Sequence, residues 1–258
     1  MIANYHTHTE RCRHAGNHKD REYVEAALTA GMQTLGFADH TPQIFRNGYT
    51  SAFRMDPEQL ADYVRSISGL KEEYRGRIQV LTGLETEYYP DHFRDLLDLL
   101  REHPVDYLIL GQHFIHNEYD APDGGICTDR KAVVRRYCEQ CVEAMHTGMF
   151  SCFAHPDIMC YHGDKQYYQD AVRPMCREAR RLGIPLEINL EGIRRNKHYP
   201  NMAFWEIAAQ EACTAVLGSD AHRPADVHSP EAEKKARAMA RYLGLKLLDK
   251  LELRPVHR

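Results

Sequence analysis

The stretch QVLTGLETEY, residues 79–88, is apolar for the length of one strand and then turns acidic at Glu85. Six other runs of similar character, at 2–5, 34–38, 106–110, 150–154, 185–190 and 214–217, complete a set of seven. Polar motifs close or flank them: YHTHTERCRH (5–14), LGFADH (35–40), LGQHF (110–114), FAHPD (153–157) and LGSDAH (217–222). Helical patterns fill the intervals, at about 20–30, 57–70, 91–102, 130–146, 169–182, 203–212 and 230–243. In the second of these, Asp56 and Pro57 supply a cap and a first-turn proline, while Leu60, Tyr63, Val64, Ile67 and Leu70 recur at helical spacing.

Strand and helix thus alternate seven times, the pattern of a parallel sheet. Seven units without a break in composition predict an α/β fold, a closed (β/α)7 TIM-like barrel formed by one domain over 1–258. The polar motifs then fall on the C-terminal rim, where such barrels place their chemistry.

Nine residues in these motifs are metal-ligand types: His6, His8, His14, His40, Glu85, His113, His155, Asp220 and His222. In HTH, two imidazoles two residues apart on extended chain project to the same side and are able to chelate one ion. A lone HxH is a weak signal, and each histidine taken singly reads as a surface or hydrogen-bonded residue. Several strand ends delivering histidine and carboxylate to one rim favour a centre for Zn, Mn or Fe. Glu85 has two oxygens with which to bridge two cations, a solvated loop charge being the plain alternative. Asp220 and His222 repeat the two-residue spacing at the last strand end.

The motifs HTHT, FADH, GLETEY, GQHF, FAHPD and GSDAH resemble, in order and over essentially the whole chain, those of the PHP (polymerase and histidinol phosphatase) superfamily. NYHTHTERCRHAG, followed by REYVEAALTAG and LGFADHTP, is similar to the stand-alone histidinol-phosphatase branch. The resemblance implies a distorted seven-stranded barrel with three divalent metal ions. It implies that His6, His8, Glu85 and Asp220 hold the first ion, Glu85, His113 and His155 the second, and His14, His40 and His222 the third. The implied activity is hydrolysis of histidinol phosphate in histidine biosynthesis, with Glu85, Asp220 and His222 as catalytic residues. Arg194 or Arg195, in INLEGIRRNKHYP, is implied as a phosphate contact on a rim loop, and Arg54, in SAFRM, as a further substrate-binding position.

Charge agrees with an anionic substrate. Three divalent ions less two carboxylates leave about +4 when the histidines are neutral ligands, a field suited to a phosphate monoester and attack by a metal-activated water. The chain itself carries a net charge of -4 and has no basic patch with interleaved aromatics, so a small phosphorylated substrate is expected rather than nucleic acid. Other phosphoesterase activities of the superfamily, on nucleic acid or nucleotides, are the alternative. Amidohydrolase chemistry is a weaker one, since no lysine ends a strand to bridge two metals. Glu118, Asp120 and Glu191 are candidates for the organic end of the substrate. Asp39 and Asp157, beside ligand histidines, would either orient them or cap helices.

No basic leader or membrane-length apolar stretch is present, so a cytoplasmic protein with no membrane partner is expected, its eight cysteines reduced. Cys138 and Cys141 form a CxxC read as core packing. The connection at 115–129 is long and glycine-rich, either a lid over the site or an ordinary surface loop. The sequence leaves the oligomeric state open.

Overall fold

Each apolar run becomes a strand, and an eighth joins them. The computed structural model describes residues 1–120 and 123–256. Its strands are β1 (Ala3–Asn4), β2 (Thr34–His40), β3 (Gln79–Thr86), β4 (Tyr107–Leu110), β5 (Phe150–Phe153), β6 (Leu186–Asn189), β7 (Thr214–Gly218) and β8 (Lys246–Leu248). They pair in sequence order, all parallel. The eighth is not legible in the sequence because Lys246–Leu248 runs on from the helical pattern at 230–243 and no motif of metal-ligand residues closes it.

The eighth strand also changes how the barrel closes. It extends the sheet from the first half of β7, pairing Thr214 with Lys246 and Val216 with Leu248. At the rim the chain beyond β7 returns to the end of β1 instead: Thr7 and Ala221 form a parallel bridge, and His8 N–H donates to Ala221 O at 2.8 Å. The expected closed seven-stranded ring is therefore a curled sheet of eight strands, joined at the rim by one bridge.

The crossovers are α1 (Asp20–Thr29), α2 (Leu60–Glu73), α3 (Phe93–Glu102), α4 (Lys131–His146), α5 (Lys165–Leu182), α6 (Leu190–Arg194), α7 (Met202–Gln210) and α8 (Pro230–Leu243). Alternate strand residues such as Leu35, Phe37, Leu84 and Leu108 pack outward on these helices, each fully buried aliphatic or phenyl group contributing about 1.5–3 kcal/mol. The opposite set, including Ala38, Leu81, Tyr107, Ile109 and Val216, fills the interior. A sheet buried on both faces follows from parallel pairing with helical crossovers.

Two elements depart from expectation for identifiable reasons. Helix α5 starts four residues early because the Asp164 side chain accepts the Tyr167 N–H at 2.7 Å and caps it. Arg194 sits in the short helix α6 rather than a loop, since the Asn189 side chain accepts from Gly192 N–H at 3.1 Å and starts a turn directly after β6.

The connection at 115–129, apart from residues 121 and 122, which lie outside the described residues, folds back on itself. Phe114 bridges to Asp123, Thr128 bridges to Tyr161, and Cys127 is disulfide-bonded to Cys160. The expectation of reduced thiols fails at this pair. The two Cα atoms come to 4.4 Å across 33 residues of chain, a proximity that spacing does not disclose. Cys138 and Cys141 are buried in α4, as read. No helix of the described residues is long and apolar enough to cross a membrane.

Candidate metal centre

Glu85 is the hub of the strand ends. It lies on β3 opposite His40 of β2 and is 1 % exposed. Its Oε2 is 2.9 Å from His40 Nδ1, 3.5 Å from His6 Nε2 and 3.6 Å from His8 Nε2. Its Oε1 is 2.7 Å from His155 Nε2 and 3.8 Å from His113 Nε2. Asp220 Oδ1 faces the same pair from the other side, 3.5 Å from His6 Nε2 and 3.2 Å from His8 Nε2. His222 extends the cluster: its Nδ1 is 3.5 Å from Asp220 Oδ1 and its Nε2 is 2.9 Å from His14 Nε2. All nine sequence-derived ligands therefore converge.

These separations suit metal coordination. Donors about 2.0–2.1 Å from one tetrahedral ion stand about 3.3–3.4 Å apart. The buried oxygens Glu85 Oε2 and Asp220 Oδ1, both facing the cluster, have no partner in hydrogen-bonding geometry among the described residues, the 2.9 Å approach of His40 Nδ1 to Glu85 Oε2 included. Lone pairs buried without donors cost free energy unless a cation satisfies them, so the donor set fits a divalent-metal centre. The distribution within the cluster differs somewhat from the implied grouping: His40 turns its Nδ1 to Glu85, and His155 groups with His6 and Asp220.

Burial and charge act on the imidazoles in opposite directions. Burial, reinforced by His222, pushes His8 down to about 3 and His14 down to about 4, so both are neutral and able to ligate at neutral pH. Burial also opposes charge on His113, but the carboxylates of Glu85 and Glu87 outweigh it and lift the group to about 9. The same contest raises His6, through Glu187, Asp220 and Glu85.

A second layer aims these ligands, and sequence reasoning missed most of it. Glu187 Oε1 lies 2.8 Å from His6 Nδ1, while its Oε2 accepts from His155 N–H at 3.0 Å and Asn189 Nδ2 at 2.9 Å. Glu87 Oε1 lies 2.8 Å from His113 Nδ1. A carboxylate on the far nitrogen sets the tautomer and orients the ring. Asp39 takes the Thr9 N–H at 2.6 Å and faces His8 Nδ1 at 3.7 Å, whereas Asp157 anchors the start of α7 through Asn201 N–H at 2.6 Å and Trp205 Nε1 at 2.9 Å. Cys12 was also missed: it is fully buried, with Sγ 3.6 Å from His14 Nε2. Its position two residues before His14 was the available signal.

The candidate ligands His8, His14, His40, Glu85, His113, His155, Asp220 and His222 line a cleft of about 660 Å³, a size typical of small-ligand sites. Arg195 and Lys197 stand on its wall, 3.1 and 2.6 Å from Glu191. Arg194 is turned away: its Nη1 donates to Ser219 O at 2.7 Å and its Nη2 to Asp220 O at 3.1 Å. Arg54 is buried and bonded to Glu118, so neither of these two lines the cleft. Asp120 is exposed and bonds within its own loop. Phe53, Phe114, Asp123, Ile126 and Ile158 also line the cleft, together with His198 and Tyr199, and of these the sequence indicates only the loop.

The PHP domain family's sequence profile matches residues 4–191, a stretch that stops before Asp220 and His222. A probable histidinol-phosphatase of Deinococcus radiodurans is 31 % identical over 243 residues, covering 88 % of each chain. The histidinol-phosphatase of Bacillus subtilis is 27 % identical over 256 residues, covering 86 % of this chain and 94 % of its own. Among solved structures, the histidinol phosphate phosphatase of Lactococcus lactis complexed with Zn, L-histidinol and phosphate superposes with a TM-score of 0.74 at 17 % identity, over 96 % of this chain and 95 % of its own. With the profile match covering well over half the chain, and a relative above 30 % identity over most of it, this chain belongs to the PHP domain family.

Proposed function

We propose that the chain, acting as one barrel domain over 1–258, is a divalent-metal phosphomonoesterase that converts histidinol phosphate and water to histidinol and phosphate. The observation that carries this is the floor of the cleft, where buried unpartnered carboxylate oxygens meet imidazoles beside two cationic side chains. The names of its relatives support the substrate.

Three ions are proposed: one held by His6, His8, Glu85 and Asp220, one by Glu85, His113 and His155, and one by His14, His40 and His222. Zn, Mn or Fe, when bound, supply Lewis acidity toward phosphoryl oxygens and lower the pKa of water. Glu85 holds the two strand-end groups together, and Asp220 presents one oxygen to the cluster while Asn189 Nδ2 fixes the other at 3.0 Å. His222 closes the cluster toward His14.

Arg195 takes the phosphate role, its planar fork able to bind two oxygens, and Lys197 adds a second cation. Arg194 acts on the backbone instead, pinning the Ser219 and Asp220 carbonyls. Phe53, Phe114, Ile126 and Ile158 offer apolar surface for an imidazole ring, and Asp123 offers charge for an ammonium, Glu191 being paired with Arg195 and Lys197.

The test is phosphate release by purified protein supplied with Zn or Mn, on histidinol phosphate, on p-nitrophenyl phosphate and on a single-stranded oligonucleotide. A higher kcat/KM on histidinol phosphate than on the generic ester is expected. Equal turnover of the two esters, or digestion of the oligonucleotide alone, overturns the assignment.

A further inference from the structure

Arg54 is only 1 % exposed, and none of its hydrogen bonds reaches a residue lining the cleft. Its Nε and Nη2 donate to one oxygen of Glu118, at 2.9 and 2.6 Å. Its Nη1 donates to Thr41 O at 2.8 Å, and Nη2 reaches Tyr89 Oη at 3.5 Å. With the donors committed this way, the guanidinium is not placed to hold a phosphate.

The guanidinium lies over the ring of Phe53, 4.4 Å from its centroid, and its charged contacts run in two directions. Toward the floor of the site, Nη2 is 3.6 Å from Glu87 Oε2, and the other oxygen of Glu87 is 2.8 Å from His113 Nδ1. Toward the wall, Glu118 belongs to the 115–129 connection, which also supplies Asp123, Gly125 and Ile126 to the cleft. Both glutamate side chains are fully buried. Two carboxylates out of water on either side of one guanidinium are tolerable only while that cation stays between them. Lysine, a single compact point charge, does not reproduce the fork that serves both.

We propose that Arg54 is a positioning residue that locks His113 and the 115–129 wall into one buried charged unit, Glu118–Arg54–Glu87–His113. Metal affinity and substrate affinity then both depend on a side chain that touches neither.

The experiment measures Zn²⁺ affinity of stripped protein, by competition with a chromophoric chelator, and KM of the Zn-loaded enzyme. Glu87→Gln weakens Zn²⁺ binding by about 10–100-fold, the usual effect of removing a carboxylate behind a ligand histidine. Glu118→Gln raises KM and, because Glu118 holds the guanidinium beside Glu87, also weakens Zn²⁺ binding, by less than Glu87→Gln does. Arg54→Lys does both. Wild-type Zn²⁺ affinity in Arg54→Lys overturns the proposal, whether KM is unchanged or raised, because a raised KM alone marks a direct substrate contact.

If Arg54→Lys does not fold, the double variant Glu87→Gln/Glu118→Gln decides. Effects that multiply mean two independent contacts and overturn the unit; non-multiplicative effects support it. Only the KM arm rests on the proposed phosphatase activity. The Zn²⁺ arm uses no ester, so a wrong substrate and a wrong role for Arg54 give different results.

Discussion

Two glycines decide where the inner carboxylates are able to go. A Cβ on Gly111 would run into the side chain of Glu85, and one on Gly218 into Glu187. The repeated Leu-Gly in LGQHF and LGSDAH is therefore space for a neighbouring strand's glutamate. We expect Gly111→Ala to weaken Zn²⁺ binding by about tenfold or more, with circular dichroism unchanged; wild-type affinity in that variant would show that Glu85 moves aside without loss. Asp220→Asn is expected to reduce phosphate release by on the order of 100-fold, since the amide loses the negative charge at an oxygen facing both His6 and His8. Activity within a few-fold of wild type would remove Asp220 from the catalytic set. The first layer of ligands was legible because histidine and carboxylate at the end of an apolar run have few other uses when repeated. The left-handed backbone of His155 and Asp220, at φ 28° and 46°, was not, nor were Glu87 and Glu187. Strain at a ligand and a carboxylate behind a ring are properties of three-dimensional neighbours.

Among the elements, long runs such as 79–84 announced themselves, whereas β8 and α6 did not. Strand β8 merges in the sequence with the apolar pattern of α8, and α6 depends on one Asn189 cap whose partner is only three residues away. The 115–129 connection shows the same divide: its length marked it as a lid or an ordinary surface loop, while its fastening to 160–161 depends on the return path of the chain. The Cys127–Cys160 bond closes a 33-residue loop, which in the chain-entropy treatment contributes about 3–4 kcal/mol. The variant Cys127→Ser/Cys160→Ser is thus expected to unfold at a lower temperature than the wild type in non-reducing calorimetry, and the two proteins should converge once a dithiol is added. Identical transitions without reductant would mean that the bond does not form in solution.

At the scale of the molecule, the metal site joins elements that are otherwise remote. His6 follows β1, Glu85 lies on β3, His155 follows β5, and Asp220 and His222 follow β7. Ions bound there bind only the folded chain, because the unfolded one does not assemble the nine groups. Free metal at about 1,000 times its dissociation constant stabilises the native state by about 4 kcal/mol per site. For a chain of this size, one such site amounts to a rise in Tm on the order of 10 °C. The same ions also relieve the buried oxygens of Glu85 and Asp220 that lack partners. Stripping with a chelator should accordingly lower Tm by several degrees or more while leaving a cooperative transition, because the two apolar layers on either side of the sheet do not depend on the ions. Restoring Zn²⁺ should return Tm to its starting value, and Asp220→Asn should recover less of it. A Tm unmoved by chelation, in protein shown by elemental analysis to have lost its metal, would mean that the strand ends hold their geometry without help from the ions.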